Sequence, residues 1–335
     1  MKHAAIGPIA LHFPARVETN DELAAAFPKW DMERIFEKTG IRQRYVAEPE
    51  ECASDLAVAA AEKLLHAHEI DRQSIDYLLL CTQTPDYPLP TTACLLQHRL
   101  KLPNTTGALD FNLGCSGFVY GLSMAQGLIA SGQAQRVLLI TAETYSKYID
   151  DEDRSLRTIF SDAAAATLIE ASSTPSLGPF TFGTDGAEAD TLMVNQGGAR
   201  QVQHALKPRK RHRWASQLFM DGPSLVTATL ERVPPMIDAL LAKAGLAQTD
   251  IDYFLMHQAT LLMLDRLRAQ LQVGEDRLPT VIEQFGNTVS STIPIVIHDL
   301  RRRGLLRPGT RSMLVGFGVG FSWSGTIWTE TWPGA

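Results

Sequence analysis

Two stretches in opposite halves of the chain carry the same pattern, and this repetition constrains the fold more than any other feature. Leu64, Leu65, Ile75, Asp76, Tyr77 and Leu79 recur at a constant offset as Leu240, Leu241, Ile251, Asp252, Tyr253 and Leu255. Each set reads as the end of a helix, a turn and a buried strand. Further along, RVLLI at 136–140 is answered by RSMLV at 311–315. Two matches in the same order and at nearly the same spacing predict a duplication, with related halves over 1–172 and 173–335.

Strand-length apolar runs alternate with longer helix-like stretches throughout. Ile75–Thr82, Arg136–Ala142, Ala165–Glu170, Ile251–His257 and Arg311–Gly316 are expected to be buried strands. Asp55–His66, Thr92–Leu100, Ser116–Ser131, Ser224–Ala244 and Ser291–Arg303 are expected to be helices. This alternation predicts an α/β protein with largely parallel, buried sheets. The N-terminal MKHAAIGPIALHFP reads as a short strand and a loop, without the long apolar core of a signal peptide. No apolar run approaches the roughly 20 residues that span a bilayer. A cytoplasmic protein with no membrane partner is the expectation. The net charge of −6 argues against general nucleic-acid binding, which needs a basic surface.

The four cysteines, Cys52, Cys81, Cys94 and Cys115, form no CxxC pair and have no histidine at zinc-ligand spacing. No metal site is expected, the thiols should be free, and at least three should be small buried apolar residues. Cys115 stands between Gly114 and Gly117 in DFNLGCSGF, where a strand passes into a helix. These glycines permit a tight turn and close approach of a substrate. The helix dipole there favours thiolate, and free N–H groups can bind an oxyanion. His257 directly follows an apolar strand, where open parallel sheets build their sites. Asn287 precedes a small-residue helix start in FGNTVSSTIP. Singly, each has an ordinary structural reading: a packed cysteine, a core histidine, a helix cap. In the duplication, however, Cys81 and His257 end equivalent strands, and Cys115 and Asn287 occupy equivalent turns. A pseudo-two-fold arrangement would bring those turns together. His66 and His68 form an HxH with no third ligand nearby and are assigned to the surface. Residues 195–215 are basic, lack a clean period and read as a loop or flap. GFGVGFSW has a glycine pattern like a dinucleotide fingerprint, but no βαβ unit follows it.

Taken together, these segments resemble the signature segments of β-ketoacyl-acyl carrier protein synthase III and its relatives in the thiolase superfamily. The resemblance covers essentially the whole chain. It runs from FPARVETNDEL and KTGIRQRY through PLPTTA, LDFNLGCSGF, ITAETYS and IFSDAAAATLI to HQAT, FGNTVSSTIP, RPG and FGVGFSW. It implies a thiolase fold, a duplicated five-layered αβαβα sandwich, usually a homodimer. It implies that Cys115 attacks an acyl thioester of coenzyme A or acyl carrier protein and becomes acylated. The backbone N–H groups of Cys115 and Val319 would hold the oxyanion, and Phe317 and Gly318 would contact substrate. His257, neutral and therefore with a lowered pKa, and Asn287 would donate hydrogen bonds to the thioester carbonyl of malonyl-acyl carrier protein. Decarboxylation would then give an enolate that attacks acyl-Cys115 and yields a 3-oxoacyl product. No metal or redox cofactor is implied.

Several positions depart from the family pattern. Arg34 stands where a tryptophan stacks on the coenzyme A adenine, and Lys38 where the neighbouring residue is arginine. Leu262 replaces an arginine that helps dock the carrier protein, and Val319 replaces a glycine. Arg154 remains where an arginine contacts the nucleotide. The substitutions predict weakened coenzyme A recognition and argue against an acetyl-coenzyme A priming role. Leu89 aligns with a bulky residue that closes the acyl pocket across the dimer interface, which predicts acyl chains longer than acetyl. The run at 207–213, with Arg209 and Arg211, is either a docking surface for an acidic carrier protein or a solvated flap. The Arg301–Arg303 run has the same two readings. Two alternatives to condensation stay open: acyl transfer to an alcohol or amine, and a non-catalytic subunit of a heterodimer.

Overall fold

A computed structural model of the protein describes residues 2–200 and 217–334. The strands form two principal sheets with matching order. In the first, Gly107–Phe111, Tyr77–Cys81, Arg136–Glu143, Ala163–Ser172 and His3–His12 lie side by side. In the second the order is Tyr253–Met256, Arg311–Gly318, Ser322–Thr329 and Leu177–Thr184. Where the first sheet has its edge strand Gly107–Phe111, the second has, among the described residues, the Arg277 carbonyl, which accepts from the Phe254 N–H at 2.7 Å.

Both sheets mix directions, which corrects the expectation of largely parallel pairing. Tyr77–Cys81 is parallel to both neighbours, and Tyr253–Met256 to Arg311–Gly318. The remaining pairings of the two sheets are antiparallel. A strand covered by helices on both faces is apolar throughout whichever way its neighbour runs, so the pattern could not report direction. The N-terminal strand, His3–His12, is also longer than the short one expected, because it pairs along Ala163–Ser172 with a register shift around Gly7 and Pro8.

Side-chain alternation along the strands sorts the core into layers. Leu79 and Leu255, matched in the repeat, both face the space between the sheets. The helices Gly117–Ala130 and Thr292–Arg302 fill that space through Phe118, Leu122, Ile293 and Val296. Leu78 and Leu80 face outward onto Ala53–Ala67 and Thr92–Arg99. Phe254 and Met256 face outward onto Gly222–Ala244 and Leu261–Leu271. The result is the five-layered αβαβα sandwich of the thiolase fold. No helix among the described residues is long and apolar enough to cross a membrane.

Two expectations about single residues are corrected here. Of the cysteines other than Cys115, only Cys81 is buried; Cys52 is half-buried and Cys94 is exposed. Cys94 falls on the solvent face of an outer-layer helix, which composition alone does not reveal. Arg301 offers no docking charge, because its side chain is only 7% exposed in an ion pair with Glu330 at 2.7 Å. It also donates to the carbonyls of Gly7 and Ile6 at 2.6 and 3.0 Å, tying the central helix to the first strand. Arg302 is exposed, and Arg303 pairs with Asp299.

Removing one partner of a buried pair leaves the other charge desolvated. Arg301→Ala should therefore lower stability by about 3–5 kcal/mol in denaturant unfolding. The apolar double replacement Arg301→Met with Glu330→Leu should cost less. Equal losses in the two variants would contradict this assignment.

Candidate active site

Cys115 lies on the turn between the strand Gly107–Phe111 and the helix Gly117–Ala130, and is 5% exposed. The two glycines that matter most are required by packing. A side chain at Gly117 would collide with the Cys81 sulfur, so the space there belongs to Cys81 and not to substrate. A Cβ at Gly318 would lie 2.9 Å from the Cβ and Sγ of Cys115. Glycine at 318 thus lets a strand of the second sheet run against the cysteine of the first.

Burial pushes the Cys115 thiol up to about 12, and the buried Glu143 carboxyl adds to the effect. The backbone N–H groups of Cys115 and Val319, both bonded to this sulfur, pull the other way. Burial thus works against the thiolate that the helix end was expected to favour. Cys115 directly precedes the capping residue Ser116 at the start of this helix. Glu143 is itself pushed up to about 8 by burial. It accepts from the Gln83 N–H and from the hydroxyls of Thr84 and Ser290.

His257 follows the end of Tyr253–Met256, with its backbone N–H bonded to the Val315 carbonyl at 2.8 Å. Its Nδ1 lies 2.7 Å from Thr292 Oγ1, and the ring meets Phe317 edge-on at 5.5 Å. Burial pushes His257 down to about 3, against an opposing bond to the Val289 carbonyl. The ring is therefore neutral near pH 7 and carries a single N–H.

Asn287 belongs to the second half in sequence but is clamped to the first by its backbone. Its N–H donates to the Ile159 carbonyl and its carbonyl accepts from Ser161, both at 3.0 Å. Its side-chain Oδ1 accepts from the Val289 N–H at 3.0 Å, and Nδ2 donates to the Ala259 carbonyl at 3.3 Å. The second Nδ2 hydrogen is left for the cavity. Serines after Asn287 strengthen the clamp: Ser290 reaches Glu143, and Ser291 lies 2.8 Å from Thr141 Oγ1.

Cys115, His257 and Asn287 line one cavity of about 560 Å³ with Phe317, Gly318 and Lys38. Its walls are largely apolar, with Leu192, Met220, Leu225, Val226, Met263 and Phe321. Leu262 also lines it, and Arg266, one helical turn further along the same face, supplies a cation there. Val319 lines a smaller neighbouring cavity with Gln83 and Tyr145.

Other expected residues lie elsewhere. Arg34 is exposed on the helix Met32–Thr39 and does not line the Cys115 cavity. Arg154 lines a separate cleft of about 480 Å³ with Phe27, Lys29 and Trp30. Phe27 and Trp30 stack there at 4.2 Å. Sequence reasoning passed over that pair, although two aromatics three residues apart just before the helix cap Asp31 were a signal for it. Leu89 is 85% exposed and outside the cavity of its own chain. His66 is exposed, and His68 meets Trp332 edge-on. Arg209 and Arg211 lie outside the described residues. Thr292, Val289 and Glu143 were also missed, since hydroxyl, apolar and acidic residues carry no motif of their own.

Residues 109–186 match the family model of 3-oxoacyl-[acyl-carrier-protein (ACP)] synthase III, and residues 241–329 match the model of its C-terminal part. The chain is 37% identical over 323 residues to "Beta-ketoacyl-[acyl-carrier-protein] synthase III 3" of Streptomyces coelicolor, covering 96% of this chain and 94% of that protein. Among solved structures, a 3-oxoacyl-(acyl-carrier-protein) synthase III is 46% identical with a TM-score of 0.92, covering 98% of this chain and 99% of the other. The 3-oxoacyl-(acyl-carrier protein) synthase of Burkholderia xenovorans is 35% identical with a TM-score of 0.91, covering 98% and 94%.

The buried imidazole has a consequence for stability. Its folded value near 3 lies below the ordinary value of 6.5. Between those values the unfolded chain binds a proton that the folded chain does not, so stability falls as pH falls. From pH 7 to pH 5 this group should remove about 2 kcal/mol. Wild type should lose that much more than His257→Asn in urea unfolding at the two pH values; equal losses would contradict a buried neutral ring.

Proposed function

This chain belongs to the 3-oxoacyl-[acyl-carrier-protein] synthase III family and is a condensing acyltransferase, and we propose that Cys115, His257 and Asn287 carry its reaction. The observation that carries this reading is that three residues from opposite halves of the sequence line one largely apolar cavity.

The proposed first step is attack of the Cys115 sulfur on an acyl thioester. The carbon–sulfur bond of the donor breaks, the acyl group stays on Cys115, and the donor leaves as a free thiol carrying the proton from Cys115. The N–H groups of Cys115 and Val319, already directed at the sulfur, are the proposed donors to the oxyanion. In the second step His257 and Asn287 donate to the thioester carbonyl of a malonyl extender. Carbon dioxide leaves, and the enolate carbon bonds to the acyl carbon as Cys115 is released. Two fixed, desolvated donors suit a charge that develops only in the transition state. Both neighbouring groups favour condensation over ester or amide formation, and the cysteine at the cavity favours an active over a non-catalytic subunit.

The cavity volume and its apolar walls support an acyl chain longer than acetyl. Arg34 in place of a stacking aromatic supports weakened coenzyme A recognition, with Arg154, Trp30 and Phe27 retaining a cationic and aromatic cleft. Lys38 and Arg266 at the cavity support docking of an acidic carrier protein. The exposed Tyr87 and Leu89 support a homodimer in which a second copy covers them. Division into related halves over 1–172 and 173–335, and a cytoplasmic location, complete this reading.

Carbon dioxide release from malonyl-acyl carrier protein tests it. His257→Ala and Asn287→Ala should each lower release by about 10²–10³-fold while Cys115 still takes up the acyl group. Release unchanged in both variants, or an ester or amide product formed without carbon dioxide, would contradict the assignment.

A further inference from the structure

We propose that Gln83 and Tyr145 are specificity-determining residues that select an acyl group bearing a hydroxyl near its thioester end. The proposal deepens the acyl-Cys115 reading above and rests on it. During condensation two groups occupy the site together, the acyl group on Cys115 and the arm of the extender. The extender must reach His257 and Asn287, which line the larger cavity and not the smaller. The smaller cavity, of about 260 Å³, is the place left for the acyl group. It adjoins the nucleophile: Val319 lines it and bonds the Cys115 sulfur through its N–H, and Leu192 lines both cavities. Its volume admits more than acetyl, since about 150 Å³ of apolar space holds benzene.

The chemistry of this cavity is not that of a plain hydrocarbon pocket. Gln83, Asn112, Tyr145 and Tyr148 line it beside Leu192 and Leu218. The Tyr145 hydroxyl, on a residue only 3% exposed, is bonded to one end of the Gln83 amide. The other end of that amide has no hydrogen-bond partner among the described residues. The backbone fixes Gln83 from both sides. Its N–H donates to Glu143 at 3.0 Å, and its carbonyl accepts from the Tyr148 hydroxyl at 3.4 Å. A Cβ at Gly114 would collide with the Gln83 side-chain oxygen and lie 2.9 Å from Val319 Cγ1. The amide thus stands against the residue that precedes the nucleophile, beside the first carbons of an acyl chain on Cys115.

An unsubstituted chain laid against this pair would cover a half-satisfied amide with methylene groups, which is unfavourable. A hydroxyl on the chain removes that cost whichever way the amide is turned. If the amide oxygen faces Tyr145, the free amide N–H donates to the acyl hydroxyl, which donates in turn to the Tyr145 oxygen. If the amide N–H faces Tyr145, the free amide oxygen accepts from the acyl hydroxyl, and Tyr145 keeps its own O–H to donate to it. A hydroxyl, donor and acceptor at once, fits both arrangements.

The test sets octanoyl- and β-hydroxyoctanoyl-acyl carrier protein in competition for the same enzyme and reads the two acyl adducts on Cys115 by intact mass. Wild type should favour the hydroxylated acyl group by about tenfold, the worth of one net hydrogen bond. Gln83→Met, which keeps the length of the side chain without its amide, should bring the ratio close to one, and Tyr145→Phe should lower it. A role in packing alone would slow both donors alike and leave the ratio in place. A ratio near one in wild type, or an unchanged ratio in either variant, would overturn the proposal. If wild type took up neither acyl group, the acyl-Cys115 reading would fail. Titration calorimetry of Cys115→Ala with free β-hydroxyoctanoate and octanoate would still decide the pocket: tighter binding of the hydroxy acid, lost in the added Gln83→Met change, supports it, and equal binding overturns it.

Discussion

The contact on which the rest of the structure depends is the approach of the strand Arg311–Gly318 to the turn bearing Cys115. It joins one half of the chain to the other at two strand positions that could not carry a side chain. A Cβ at Gly316 would lie 2.7 Å from the Cα of Ser116, and one at Gly318 would lie 2.9 Å from the Cys115 sulfur. Hydroxyls fix the register around it: Ser116 Oγ lies 2.8 Å from Ser322 Oγ, and Ser324 donates to the Ser116 carbonyl at 3.1 Å. With that seam in place, His257 at the neighbouring strand end and Asn287 at its turn share the cavity of Cys115. A second seam, from the Asn287 backbone and Ser290 to Ile159, Ser161 and Glu143, holds the far side.

Burial at this seam has a common electrostatic result. The Cys115 thiol is pushed up to about 12, Glu143 up to about 8 and His257 down to about 3. In each case loss of solvation disfavours the charged form. These three groups are therefore close to neutral before substrate arrives, with the cations Lys38 and Arg266 elsewhere on the cavity wall and oriented donors on the Cys115 and Val319 amides and on Asn287. Such donors need little reorganisation when charge develops, and in a dry site they act with more force than in water. His257 is neutral in this setting, so its ring carries a single proton.

Much of the fold and the site was legible in the sequence for physical reasons. Helix and strand periods, with caps and glycines at their ends, located most central elements to within two residues. The repeat at Leu79 and Leu255 marked the residues that face the shared central layer. Cys115, His257 and Asn287 could be read because each follows a recognisable strand end or turn. What could not be read depends on tertiary context. Strand direction is invisible in a run buried on both faces. The fate of Arg301 depended on a partner, Glu330, at the far end of the chain. The desolvation of Cys115 depends on everything packed around the sulfur, of which only the local helix end was visible. The Phe27–Trp30 pair and Thr292 acquire meaning only from the groups that the fold sets against them.

The central claim is that Cys115, at the seam between the halves, carries the acyl group. Intact-protein mass spectrometry tests it directly, after incubation with acyl-coenzyme A and acyl-carrier-protein donors of increasing chain length, beside Cys115→Ala. The account expects a mass gain equal to one acyl group, strongest for a chain longer than acetyl and absent in the variant. No gain with any donor, or the same gain in Cys115→Ala, would contradict it.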